Sequence, residues 1–217
     1  MSSTPACPNC GVILEKTPTR TRKCPDCGEK IVIRTDRKTK EKFLLTEAQA
    51  DQFDAQRAVE VARNKTIRHA EAIGLSEDDF RHAEAGLASD WGFDPSPGDV
   101  FWRLANQQTQ VAMVSADWHQ LSMIYLTMGL HLHDEGRDHT RLRHQSNDAK
   151  VRDYQATNTE YGIGHGVQAL ANACCDACRK LDGRVFSFEE ALSSSPLPPD
   201  DCTRDWCNCG WNFAIDD

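Results

Sequence analysis

The chain has 217 residues, of which 39% are hydrophobic and 27% charged, and its mean hydropathy is −0.59. This suits one sizeable core plus a small module, and the absence of any apolar run of about eighteen residues argues against a transmembrane helix. The net charge of −8 is uneven: residues 1–42 hold ten Lys/Arg against five Asp/Glu, and the remainder holds fifteen against twenty-eight. A small basic head therefore precedes an acidic body.

The N-terminal stretch MSSTPACPNC has neither a basic n-region nor an apolar h-region, so no secretory leader is expected. With no such leader, the ten cysteines read as metal ligands in a reducing, cytoplasmic setting rather than as disulfides. The strongest chemical signal is a pair of knuckles, Cys7-Pro8-Asn9-Cys10-Gly11 and Cys24-Pro25-Asp26-Cys27-Gly28. Each Cys-x-x-Cys turn places two thiolates close enough to share one ion, and two turns complete a tetrahedral four-thiolate site that suits Zn²⁺. Gly11 and Gly28 supply the positive φ that a knuckle needs after its second cysteine. The apolar runs Val12–Leu14 and Ile31–Ile33 read as strands above the metal, and Phe43–Leu45 as a third strand. Together these residues resemble the zinc-ribbon superfamily over residues 5 to 45. The resemblance implies a β-ribbon with one structural zinc held by Cys7, Cys10, Cys24 and Cys27. An iron site on the same knuckles and a redox pair are the rival readings.

The basic residues begin at Lys16 and continue through Arg20, Arg22 and Lys23, between the knuckles. A basic ribbon can meet phosphates, so residues 16–42 form a candidate nucleic-acid contact, with Arg20, Arg22 and Lys23 as its nearest residues. The bland alternative is a solvated strand face.

Thr46 with Gln49 forms a capping-box pattern. It predicts a helix to about Ala72, whose inner stripe is Ala55, Ala58, Val59, Ala62, Thr66, Ala70 and Ile73. Ser76 with Asp79 opens a second helix, to about Ser89. Its sequence is acidic where a DNA-recognition helix is basic. Residues 90–98 form a Pro/Gly linker and an internal boundary. Ser96 and Pro97 then open a helix whose inner face is Phe101, Leu104, Ala105, Gln108, Val111 and Ala112. Trp118 to Leu132 is apolar nearly all round and belongs at the centre of the core. A last, polar helix from Asp138 to about Ala156 covers the bundle from outside. Gly162, Gly164 and Gly166 break the helical pattern without forming a dinucleotide fingerprint. Val167 to Ala173 follows as a short strand, with a helix end as the alternative.

Residues 174–209 hold six further cysteines. Cys175 and Cys178 form a Cys-x-x-Cys half-site, and Cys202 with Cys207 closes it, Cys209 being the alternative fourth ligand. Cys174 reads as a small buried residue. Asp182-Gly183 reads as a hairpin turn. Over the last forty-five residues or so, Cys175-x-x-Cys178, Leu181–Phe186 (LDGRVF), Pro196–Pro199 (PLPP) and Cys207-Asn208-Cys209 resemble the cysteine-rich terminal module of phage minor-head and head-morphogenesis proteins. Cys202 stands near where that family has a histidine. The resemblance implies an assembly module and no catalytic activity.

His131, His133, Asp134, Glu135 and His139 cluster in LHLHDEGRDH. His131 and Glu135 share a helix face, which is not the HExxH arrangement of a zinc hydrolase. The expected fold is mainly α: a zinc ribbon (1–45), a helical body (46–160) and a cysteine-rich zinc knuckle or treble-clef-like module (161–217). Three functions are weighed. The first is a zinc-stabilised, non-enzymatic binding or assembly protein with two Zn²⁺ per chain and a protein partner, of phage or prophage origin and hence cytoplasmic or virion-associated. The second is a nucleic-acid-binding regulator acting through the ribbon. The third is a metal hydrolase centred on His131 and Glu135.

Overall fold

The structure is a computed structural model and describes residues 4–36, 38–171 and 175–215. Cys174, read above as a small buried residue, lies outside the described residues, as do the last residues of the strand expected to run to Ala173. The chain forms two compact units, residues 1–63 and 64–217. Among the described residues there are seven helices and two three-stranded antiparallel sheets, one near each end of the chain. The mainly helical fold with a small β module at the N-terminal end is as expected; the three-stranded sheet near the C-terminus goes beyond the strand and hairpin turn expected there.

In the first unit, β1 (Arg22–Lys23), β2 (Lys30–Thr35) and β3 (Lys42–Leu45) pair in sequence order. Ile31 and Val32 of β2 are buried. The expected strand Val12–Leu14 is reduced to a single bridge between Ala6 and Ile13. The knuckle itself uses the nearby backbone groups, with Cys7 N–H donating to Val12 O and Gly11 N–H to Cys7 O, both at 2.9 Å. Leu14 turns inward while Ile13 faces solvent.

The helix α1 (Glu47–Ala72) opens on the expected capping box: Gln49 N–H donates to Thr46 Oγ1 at 3.1 Å and Thr46 N–H to Gln49 Oε1 at 3.0 Å. The expected inner stripe is corrected along most of its length. Ala55, Ala58, Val59 and Ala62 are exposed, and of the expected stripe only Thr66, Ala70 and Ile73 are buried. Small residues at helical spacing signal a core face only where another element lies against them. In the first half the helix instead engages the sheet through Lys30 with Glu47 and Arg34 with Asp54, both at 2.6 Å, and through the rings of Phe43 and Phe53 at 5.7 Å.

The second unit holds α2 (Glu77–Trp91), α3 (Pro97–Ser115), α4 (Trp118–Asp134) and α5 (Thr140–Tyr161). Ser76 and Ser96 cap α2 and α3, each in a full capping box with Asp79 or Asp99. Phe80, Phe101, Ile73 and Ile124 are fully buried at the centre of this bundle. Val111, expected inside, is exposed: its neighbour Ala112 takes the buried face of this turn, and a residue one position earlier points about 100° away from it. Only part of α4 meets its expected central burial. Leu121, Ile124 and Met128 enter the core, but Met123, Leu126 and Leu130 are half-buried on the opposite face. Nor is α5 an outer cover. Its Ala149 joins the bundle core while Val151 and Tyr154 join a second core beneath the C-terminal sheet. Ser122 and Ser146 lock α4 to α5, each hydroxyl donating to the other's carbonyl at 2.9 Å.

After α5, β4 (Gly164–Leu170) forms the centre of the second sheet, between β5 (Val185–Phe186) and β6 (Gly210–Ile215). The short helices α6 (Asp176–Arg179) and α7 (Phe188–Ser194) lie between the strands in sequence. Asp182-Gly183 is a turn, with Gly183 at φ +74°, but not a hairpin between its own flanks. It joins the end of α6 to β5, whose partner is β4.

Candidate metal centres

The first cluster is built from two knuckles whose chain reversals fix the sulfur positions. Cys7 and Cys24 are buried and Cys10 and Cys27 exposed. Across the knuckles, Cys7 Sγ lies 4.0 Å from Cys27 Sγ, and Cys10 Sγ 3.8 Å from Cys24 Sγ. Four thiolates about 2.3 Å from one tetrahedral ion lie roughly 3.8 Å apart, so the donor set fits such an ion. Asn9 Nδ2–H donates to Lys30 O at 3.2 Å and ties the first knuckle to β2.

The protonation of these sulfurs points the same way. Burial pushes the Cys7 thiol up, but the backbone N–H groups of Cys10 and Asn9 outweigh it and, with the neighbouring thiols, bring it down to about 6. Cys10 is favoured as an anion by the Val12 N–H, yet burial and the surrounding sulfurs of Cys27, Cys7 and Cys24 push it up to about 12. The cluster alone ionises in part, because each added negative charge meets the one before it. A dication removes that penalty.

The second cluster brings together all five cysteines named for it. Cys175, at the start of α6, and Cys178 within it have Sγ atoms 3.5 Å apart, and Cys202 lies 3.6 and 3.7 Å from them. Cys207 is 3.3 Å from Cys178, and Cys209 is 2.9 Å from Cys207. The sulfurs form two overlapping groups of three, Cys175/Cys178/Cys202 and Cys178/Cys207/Cys209, joined at Cys178. Backbone N–H groups of Cys178 and Thr203 hold the Cys175 thiol down, at about 6. Burial, followed by the neighbouring sulfurs of Cys207 and Cys175, pushes Cys178 up. Here too the donor set could hold a thiophilic ion.

No family model, curated protein or solved structure matches this chain. The centres therefore rest on their own geometry.

Two residues that sequence reading passed over position the second centre. Arg143, buried on α5, donates from Nη2 to the carbonyls of Cys207 at 2.8 Å and Cys209 at 3.2 Å, and its guanidinium lies 4.7 Å from the centre of the Trp206 ring. Asn147, one turn on, donates to Leu197 O at 2.8 Å. Their only signal in the sequence is an i,i+4 polar pair on a polar helix, which ordinarily marks a solvent face.

The remaining candidates divide. Arg20, Arg22 and Lys23 are exposed, and among the described residues Lys16, Arg20, Arg22 and Lys23 make no ion pair, whereas Lys30, Arg34 and Lys38 pair with Glu47, Asp54 and Glu60. His131 is buried beside His69, with Nδ1 atoms 3.3 Å apart, and its Nε2 lies 3.3 Å from Glu135 Oε1. His69 in turn faces Asp134 at 3.3 Å, and Asp134 holds Lys65 at 2.6 Å. Among the described residues, groups of three converging metal donors occur only in the two cysteine clusters, so His131 and Glu135 gain no third donor. His133 points elsewhere, to Asp205 at 2.9 Å.

Proposed function

We propose that this chain is a metal-stapled, non-enzymatic binding or assembly protein with one Zn²⁺ in each cysteine cluster. The observation that carries the reading is the four-sulfur geometry of Cys7, Cys10, Cys24 and Cys27, whose spacing suits a coordinatively closed structural ion. In the second centre Cys175, Cys178 and Cys202 are three of the ligands, and Cys207, 3.3 Å from Cys178, is the fourth, with Cys209 as the alternative. The C-terminal module is knuckle or treble-clef-like, and its likeness to phage head-morphogenesis modules supports an origin in a phage or prophage. That origin carries a protein partner and a cytoplasmic or virion-associated setting with it. Among the described residues no helix is long and apolar enough to cross a membrane. Protein purified under reducing conditions is expected to carry about two zinc per chain by elemental analysis. Protein that folds with no zinc at all would falsify the stapling.

A second reading has one specific observation behind it. The cations facing α1 are paired with acids, while Lys16, Arg20, Arg22 and Lys23 make no ion pair among the described residues. That pattern suits a phosphate-contacting edge on the ribbon. Binding to single- or double-stranded nucleic acid should then fall steeply with salt and weaken in an Arg20→Ala/Arg22→Ala/Lys23→Ala variant. Absence of binding at low ionic strength removes this reading.

A further inference from the structure

The second centre gathers one sulfur more than a single tetrahedral ion takes. Zinc in a structural site binds four thiolates. Among the described residues five converge here, Cys175, Cys178, Cys202, Cys207 and Cys209, whereas the first centre has four. The excess falls on one pair. Cys207 Sγ and Cys209 Sγ are 2.9 Å apart, closer than the 3.3, 3.5, 3.6 and 3.7 Å between the other neighbouring sulfurs of the centre.

The cause is local. Along Cys207-Asn208-Cys209 burial alternates, with both cysteines buried and Asn208 exposed, so the two thiols share one face as residues i and i+2 of an extended chain do. Cys209 N–H donates to Cys207 Sγ at 3.5 Å and draws the second residue toward the first sulfur. Arg143 fixes the same segment by its carbonyls, donating from Nη2 to Cys207 O at 2.8 Å and Cys209 O at 3.2 Å. A disulfide is about 2.05 Å long, so a closure of under about 1 Å joins the pair. A small reagent has a way in. Cys209 is only 1% exposed, but it lines a groove of about 470 Å³ between α4 and the C-terminal module, beside Leu126, Leu130, Trp206 and Trp211. A molecule little larger than water, whose share of liquid volume is about 30 Å³, fits within it.

We infer that Cys207 and Cys209 form an oxidation site for hydroperoxides, which closes as a disulfide and takes one ligand from the second ion. Cys207, kept as a thiolate by the ion, attacks the peroxide. Its sulfur bonds to one oxygen, the O–O bond breaks, and the departing oxygen takes a proton from solvent. The Cys209 thiol then attacks the sulfenic acid so formed: the S–S bond is made, the S–O bond breaks, and the hydroxyl leaves as water with the Cys209 proton. The two sulfurs are oxidised by two electrons, and hydrogen peroxide is reduced to two waters. The ion keeps Cys175, Cys178 and Cys202 and loses its bond to the residues that lead into β6. The oxidation needs only the two adjoining sulfurs, while the release of the ion rests on the zinc reading proposed above.

The test takes the zinc-loaded full chain, cleared of reductant, with a few equivalents of hydrogen peroxide. Trypsin cuts after Arg204, so the peptide 205–217 carries Cys207 and Cys209 and no other cysteine, and the peptide 1–16 carries Cys7 and Cys10. The first should become lighter by two hydrogens and resist alkylation while the second stays reduced. About one of the two zinc per chain should pass to a chromogenic chelator, and dithiothreitol with added zinc should reverse both changes. In Cys209→Ser, which leaves Cys207 as the fourth ligand, the disulfide cannot form, and dimedone should label Cys207 as a sulfenic acid. Should that variant fail to fold by circular dichroism, the wild-type peptide masses decide alone. A 205–217 peptide that stays reduced, or one that oxidises only after 1–16, overturns the inference. Zinc counted before treatment separates the two readings. Two zinc without the Cys207–Cys209 disulfide defeats the oxidation site and leaves the staples in place, whereas a folded chain without zinc that still forms the disulfide defeats the staples alone.

Discussion

At the scale of single residues, the cysteines were legible and their supports were not. A Cys-x-x-Cys turn announces itself because its geometry is local: the chain reversal alone sets the sulfur separation. The five thiols of the second centre were named from spacing, but nothing local says how Cys202 and Cys207 reach Cys175 and Cys178, twenty-four or more residues away. Arg143 and Asn147 do part of that work from α5, and a polar pair on a polar helix has no signature that separates it from surface. His69 was missed for the same reason. Its partner His131 lies sixty-two residues on, and the pair is visible only once α1 and α4 have packed.

That buried pair makes stability depend on pH. Burial holds both imidazoles below the usual range, for His69 with help from the positive form of His131 and against Asp134, and for His131 against Glu135 and Asp134. A group whose folded pKa is depressed binds more protons when unfolded. Its contribution is therefore complete above the unfolded value, about 6.5, and is lost as pH falls through the folded values. The urea midpoint of the wild type is expected to drop between pH 7.5 and pH 5.5. Because thiolate–metal binding also weakens in acid, the informative comparison is with His69→Gln/His131→Phe, whose midpoint should fall less over the same interval. Equal falls in the two proteins would assign the whole effect to the metal centres.

At the scale of elements, helix starts were read well because capping is local chemistry. Thr46, Ser76 and Ser96 each bond back as their sequences predict. Burial along a helix was read less well, since it depends on neighbours: the same spacing that buries Ala70 leaves Ala58 and Val59 in water. The glycines after α5 show the same division. They were legible as breaks in the helix, but the reason for Gly166 appears only in the sheet. A Cβ there would lie 2.1 Å from the carbonyl oxygen of Phe186, with Ser187 Cα at 3.3 Å. The obstacle is backbone and cannot rotate away, so Gly166→Ala must push β5 off β4. A cost of about 1–3 kcal/mol, in the range of overpacking changes, is expected for the C-terminal module. It should register as a lower melting temperature and faster amide exchange in β4 and β5. A variant as stable as the wild type would mean that β5 is not held where it stands.

For the whole molecule, the deciding comparison is between cores built partly on clustered cysteines and one that is not. The buried core of the first sheet is Cys7, Leu14, Cys24 and Ile31, so two of its four members belong to the four-sulfur cluster. Beneath the second sheet, Cys178, Cys207 and Cys209 share the core with Val151, Val167, Leu197 and Trp211. The helical bundle buries no cysteine among its core residues; Phe80, Phe101, Ile73 and Ile124 fill its centre, with Phe101 packed against the imidazoles of His69 and His131. Small cores that use thiolates as packing cannot persist when the ion leaves, because four uncompensated sulfurs repel and too little apolar surface remains. A bundle of this kind can persist, since its stability rests on area removed from water. Stripping metal with a strong chelator at neutral pH should therefore leave most of the helical far-UV signal in place. Amides in β2 and β3 should lose their exchange protection outright and those of β4 and β6 in part, while amides at Phe80, Phe101 and Ile124 stay protected. Loss of the helical signal together with the metal would instead make the ions part of the folding of the bundle, and would move them from local staples to determinants of the whole fold.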